Sequence, residues 1–284
     1  MRSSFTPAIN SLIDLALEED LGLGDVTSDV LLGRRHHSRG VIEARENLVL
    51  SGIELSAEIF YRVDDALEVN KRAGDGDRLE PGGTVMTIHG PACSMLKAER
   101  TSLNFLQKLS GIATLTARYV EAAHRGNPDT RVCDTRKTTP GFRLLSKYAV
   151  RCGGGHNHRF SLADAVMIKD NHIAAAGSVE AAVRTIRRHA PHTAKVEVEA
   201  DTLEQVEEAL AAGADVILLD NMAAEDIRAA VKKTDRRAIL EASGGISLAT
   251  IDAYAATGVD VISVGAITHS APAADLALNL ELSR

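Results

Sequence analysis

Residues 195–245 read KVEVEADTLEQVEEALAAGADVILLDNMAAEDIRAAVKKTDRRAILEASGG. Three short apolar runs, VEVE, VILLD and AILEAS, each end on polar residues, and amphipathic helical patterns separate them at 202–213 and 224–233. From Glu199 to Asp220 is 21 residues, from Asp220 to Ser243 is 23, and from Ser243 to Gly265 is 22. One strand, one helix and two short loops need about that many residues, so the repeat predicts βα units and a parallel sheet with right-handed crossovers. The same grammar covers 130–137, 164–171 and 259–266, which makes six strands in all. A (β/α) barrel is the economical solution, and six is short of the eight strands of a complete one. An incomplete or irregular barrel and a full one both remain open on this count.

Upstream the text changes. The segments GVIEARENLVLSG (40–52) and ALEVNKRAGDGDRLEPGGTVMTIHG (66–90) are strand-like and punctuated by GDGD and EPGG, which predicts a small sheet-containing domain. Residues 92–124 carry Leu96, Leu103, Leu106 and Leu109 among good helix formers, so they read as one long helix or as two separated at Ser110 and Gly111. That segment is the expected domain boundary. At the N-terminus Ile9, Leu12, Ile13 and Leu17 recur at helical spacing behind Thr6 and Pro7, which predicts a capped amphipathic helix and not a secretory leader.

Composition narrows the function. Of 284 residues, 45% are apolar and 25% charged, so a disordered or fibrous chain is excluded. The net charge of −7 repels nucleic acid and anionic membranes, and nine aromatic residues without tryptophan leave little for base stacking. No run approaches the roughly 18 apolar residues of a membrane span. Cys93, Cys133 and Cys152 are odd in number and widely spaced, which suits a reducing, cytoplasmic compartment.

In parallel barrels chemistry sits at the carboxyl ends of the strands. Here those ends, and the residues near them, carry a basic group of Arg136, Lys137, His158, Arg159 and Lys169, with Arg100 on the preceding helix. Guanidinium forks grip carboxylates while lysines add compact charge, so the group suits a small ligand with several carboxylates or phosphates. Glu199 and Asp220 end otherwise apolar strands. They suit Mg²⁺ beside a polyphosphate, or a structural pair bonded to a lysine such as Lys195. The late glycines, SGG at 243–245 and VGA at 264–266, suit a phosphate cradle, with His269 just beyond. Lysines at strand ends also serve Schiff-base lyases, so Lys137 and Lys169 leave that rival in play.

The segments EEDLGLGDVTSD (18–29), AERTSLNFLQKLSGIAT (98–114), DTRKTTPGFRLLSKYAV (134–150), GGGHNHRFSLADAVMIKDNH (153–172), VEVEADTLEQ (196–205), LEASGGI (240–246) and VGAITHS (264–270) resemble, in order, the quinolinate phosphoribosyltransferase family. The resemblance implies an α/β chain with an N-terminal α/β sandwich-like domain (1–110) completed by the tail (268–284), and an incomplete α/β barrel (111–267). It implies transfer of phosphoribosyl from phosphoribosyl pyrophosphate to quinolinate with decarboxylation, in NAD biosynthesis. Quinolinate would meet Thr135, Arg136, Lys137, His158, Arg159 and Lys169, with Arg100 donated across a homodimer. Glu199 and Asp220 would face the ribose and Mg²⁺, acting in catalysis with Lys137 and Lys169. Ser243, Gly244, Gly265 and His269 would take the 5-phosphate.

Overall fold

The computed structural model describes residues 5–32 and 36–282. In chain order it forms helices α1 (Pro7–Leu21) and α2 (Ser28–Leu31), strands β1 (His37–Ala44) and β2 (Leu48–Val49), and helix α3 (Ile53–Val63). Strands β3 (Glu68–Lys71), β4 (Arg78–Leu79) and β5 (Thr84–Pro91) lead into the long helix α4 (Ala92–Gly126). There follow β6 (Arg131–Cys133), α5 (Arg143–Cys152), β7 (Val166–Ile168), α6 (Asp170–Ala176), α7 (Val179–His189) and β8 (Val196–Ala200). The chain ends through α8 (Leu203–Ala211), β9 (Val216–Asp220), α9 (Ala224–Thr234), β10 (Ile239–Ser243), α10 (Ile251–Ala255), β11 (Val261–Ser263), α11 (Ala266–His269) and β12 (Leu276–Leu282).

Two compact units result. One holds the residues up to Leu115, Thr139–Gly154 and those from Ser270 onward; the other holds Thr116–Thr138 and Gly155–His269. Set beside the sequence division (1–110 with 268–284, then 111–267), the main difference is 139–154, which includes α5 and groups with the first unit. Residues 1–4, 33–35, 283 and 284 of that division lie outside the described residues.

In the first unit an antiparallel sheet runs in the order β12-β1-β5-β3, so the tail strand completes it by pairing with β1. Val85, Met86 and Ile88 of β5, Ile42 of β1, and Ile59 and Phe60 of α3 are all fully buried and belong to the core. Pro7 starts α1, and the Thr6 hydroxyl accepts the Ile9 N–H. Helix α4 is one helix of 35 residues and does not break at Ser110 and Gly111. Gly111 is there for contact: a Cβ at that position would lie 1.9 Å from the Pro272 carbonyl oxygen. Glycine at a helix centre costs about 1 kcal/mol relative to alanine, and here it lets two backbones touch.

The second unit contains the six strands read from the sequence. They form one parallel sheet in the order β6-β11-β10-β9-β8-β7. The first strand lies beside the last, so the sheet curls toward a barrel, and the opening falls between β6 and β7. That is also where the chain leaves for 139–154. On its open side β6 has a single parallel bridge, Cys133 to His156. Among the described residues no helix is long and apolar enough to cross a membrane.

Candidate active site

All six strands of the second unit contribute to one cavity of about 460 Å³ at their carboxyl ends. Thr135, Arg136 and Lys137 follow β6, Lys169 follows β7, Glu199 comes from β8, Asp220 from β9, Ser243 from β10 and Ser263 from β11. The connection before β7 adds His158 and Arg159. The apolar strand interiors pack below, and the change to polar residues at each strand end makes this rim.

Local bonds fix the direction of these groups. Asp134 is fully buried; its Oδ1 accepts the His158 N–H at 2.9 Å and its Oδ2 accepts the Asn157 side-chain amide at 2.6 Å. The Thr135 hydroxyl accepts the Lys137 N–H at 3.0 Å. Arg159 donates to the Ala165 carbonyl at 3.1 Å and meets Met167 Sδ at 3.5 Å. At the end of β9, Asn221 adopts φ 55°, a left-handed conformation asparagine tolerates, and its amide donates to Asp220 Oδ2 at 2.9 Å.

The acidic side of the rim is tied to the basic side. Lys169 forms an ion pair with Glu199, so the lysine that meets the Glu199 carboxylate is Lys169 and not Lys195. Burial lowers the Arg159 pKa, and the neighbouring Arg136 charge adds to that. Deeper in the barrel, Glu197 and Glu241 are buried, and His158 Nε2 lies 3.5 Å from Glu197 and 3.4 Å from Glu241. Burial, then the Glu197 charge, pushes the Glu241 carboxyl up to about 7. The arrangement can seat a compact polyanion against the cations and offer carboxylates to a developing positive charge.

The structure thus brings together Thr135, Arg136, Lys137, His158, Arg159, Lys169, Glu199, Asp220 and Ser243. Gly265 adjoins them: a Cβ there would come within 2.9 Å of Lys137 Cδ and 3.3 Å of the His269 ring. Gly244, at φ 94°, sits where a Cβ would strike Asn221 Oδ1 at 2.2 Å, so only glycine fits. These three do not line the cavity itself, and neither does Arg100, an exposed residue of α4 in the first unit. Sequence reading missed Glu197, Glu241, Asp134 and Asn221. Alternation was the available signal, because Glu197 and Glu241 stand two residues before Glu199 and Ser243 and share their faces.

Comparison with known proteins shows the family and the fold. Residues 25–110 match the model of the quinolinate phosphoribosyl transferase N-terminal domain, and 112–279 that of its C-terminal domain. A probable nicotinate-nucleotide pyrophosphorylase [carboxylating] of Bacillus subtilis is 42% identical over 97% of this chain and 94% of its own. The nicotinate-nucleotide pyrophosphorylase [carboxylating] of Mycobacterium leprae is 43% identical over 96% and 97%. The crystal structure of NadC from Streptococcus pyogenes superposes with a TM-score of 0.94 at 42% identity, covering 99% of this chain and 100% of that one. With both domain models matched in order and relatives aligned from end to end, the chain belongs to the quinolinate phosphoribosyltransferase family.

Proposed function

We propose that the protein transfers the phosphoribosyl group of phosphoribosyl pyrophosphate to quinolinate with loss of CO₂. The products are nicotinate mononucleotide and pyrophosphate, and the step feeds NAD biosynthesis. The observation that carries this reading is one rim where Arg136, Lys137, Arg159 and Lys169 line, together with Glu199 and Asp220, a cavity of about 460 Å³. Quinolinate has two adjacent carboxylates, which suit the cations, with Thr135 and His158 completing the wall.

The chemistry asks little of a protein base. The pyridine nitrogen already carries a lone pair, so it attacks the ribose C1 carbon as pyrophosphate leaves with the bonding pair. Holding the two in line is worth several kcal/mol, of order 7–11 in well-aligned cases. Glu199 and Asp220 stabilise the positive charge that develops on the ribose. Alkylated nitrogen then draws electrons: the bond from C2 to its carboxylate breaks, CO₂ departs, and the pair left on C2 takes a proton. Lys137 and Lys169 hold the substrate carboxylates until that point. In this role Lys169 acts as the charged partner of Glu199 and not as a Schiff-base nucleophile.

Magnesium belongs to the same reading. Glu199 and Asp220 end neighbouring strands, line one cavity and offer the oxygen donors that a hard cation prefers. Bound there with pyrophosphate, Mg²⁺ would neutralise the leaving group. Ser243, Gly244, Gly265 and His269 would receive the 5-phosphate, the glycines keeping the backbone open to it.

A homodimer completes the proposal, with Arg100 of the partner subunit reaching this cavity. Leu15, Leu23, Val26, Val30 and Leu31 support it: they are 64–103% exposed within one short segment, an apolar surface suited to cover by a second copy. Cys93, Cys133 and Cys152 form no disulfide, which suits a cytoplasmic enzyme. The test is release of pyrophosphate and CO₂ from quinolinate plus phosphoribosyl pyrophosphate, with and without Mg²⁺, using nicotinate as control acceptor. Mg²⁺-dependent release of both products with quinolinate alone is the expected result; pyrophosphate without CO₂ refutes the acceptor, and neither product refutes the reaction.

A further inference from the structure

Barrel interiors are ordinarily filled by branched apolar side chains. This one holds two carboxylates, Glu197 on β8 and Glu241 on β10, each 5% exposed. Glu197 Oε1 and Glu241 Oε1 make no hydrogen bond. Buried acceptors without donors are costly, and residues kept at such a cost mark functional sites more often than inert cores.

The group above them is His158, whose Nε2 faces both carboxylates at 3.5 and 3.4 Å. Its other ring nitrogen is already committed, because the backbone N–H of Arg159 donates to Nδ1 at 2.8 Å. A ring nitrogen that accepts a backbone N–H carries no proton of its own. The ring proton therefore sits on Nε2, the ring nitrogen nearest the two glutamates. An imidazolium would set two N–H groups against each other at Nδ1. Asp134, fully buried, holds the main chain of the same residue. The crowding of the two carboxylates shows at Glu241, whose carboxyl is raised by burial and then by the Glu197 charge.

We infer that Glu197 and Glu241 are positioning residues of the quinolinate pocket: through a neutral His158 they fix the segment that presents Arg159. His158 is then a bridge between the barrel floor and Arg159, and not a cation that receives a substrate carboxylate. This rests on the reading of the cavity as the quinolinate site.

Two measurements test it on the whole enzyme. Long-range ¹H–¹⁵N spectra of histidine-labelled protein at neutral pH report the His158 ring directly, its signals assigned by their loss in His158→Gln. One protonated nitrogen, Nε2, is expected; an imidazolium overturns the inference, and this readout needs no turnover. Steady-state kinetics of Glu197→Gln and Glu241→Gln give the second. The quinolinate KM should rise about tenfold or more while the phosphoribosyl pyrophosphate KM and kcat hold within about threefold. An unchanged quinolinate KM in both variants overturns the positioning role. Wild-type enzyme that has a neutral His158 but turns over no quinolinate overturns the pocket reading and leaves the bridge standing.

Discussion

Lys169, the residue after β7, and Glu199, the fourth residue of β8, form an ion pair across neighbouring strand ends of the parallel sheet. The pair holds a cation and a carboxylate side by side, each compensated by the other; in the proposed reaction the first would serve the substrate and the second the ribose. Replacing Lys169 with alanine removes the partner of Glu199 and, in the proposed reaction, a donor to the substrate. The expected result is a fall in kcat of about 10²–10³, read from the rate of CO₂ release at saturating substrates. A kcat within threefold of wild type would refute the role.

Arg136 stands exposed at the mouth of the cavity, next to Arg159. Arg136→Ala should weaken quinolinate binding by about 2–5 kcal/mol, the usual cost of leaving a bound charge without its partner. The effect should fall on the quinolinate KM and leave that of phosphoribosyl pyrophosphate unchanged.

Arg100 lies in the first unit and does not line the cavity of its own chain. If the partner subunit supplies it, inactive Arg100→Ala mixed with inactive Lys169→Ala should regain activity, because a heterodimer holds one site with both residues intact. Absence of recovery after verified subunit exchange would count against the shared site.

Glu241 makes stability depend on pH. Its carboxyl rises from an ordinary 4.5 to about 7 in the fold, mainly through burial. Between those values the folded chain keeps a proton that the unfolded chain has released, so this group's contribution is full below pH 4.5 and is lost as pH rises toward 7. Urea midpoints at pH 5 and pH 8 measure it. In Glu241→Gln the loss of stability between the two should shrink by on the order of 2–3 kcal/mol.

Gly111 tests the packing of α4. Its Cβ would fall 1.9 Å from the Pro272 carbonyl oxygen, backbone that cannot rotate away. Gly111→Ala should destabilise the enzyme by about 1–3 kcal/mol or more in spite of alanine's better helix propensity. Thermal unfolding that matches or exceeds wild type would show that the contact yields.

The six strands, their parallel order of use and the polar residues at their ends were legible in the chain itself. A strand, a loop and a helix are local events, and apolar runs that stop at Glu199, Asp220 and Ser243 mark strand ends whatever lies beside them. The sequence also carried the cap of α1, because Thr6 and Pro7 act within one turn. Other features depend on residues distant in sequence. Beside β6 lies β11 and not β7, so the opening of the barrel follows from a pairing between residues near 132 and 262. Gly111 reads as a break until Pro272 is seen against it. Glu197 and Glu241 look like ordinary strand glutamates until β8, β9 and β10 align and His158 closes over them, since local pattern cannot tell whether a carboxylate faces water or a neighbour's charge. Local preference wrote the elements and the rim; which side chains meet across that rim followed from tertiary packing, where burial and mutual charge set what each can do.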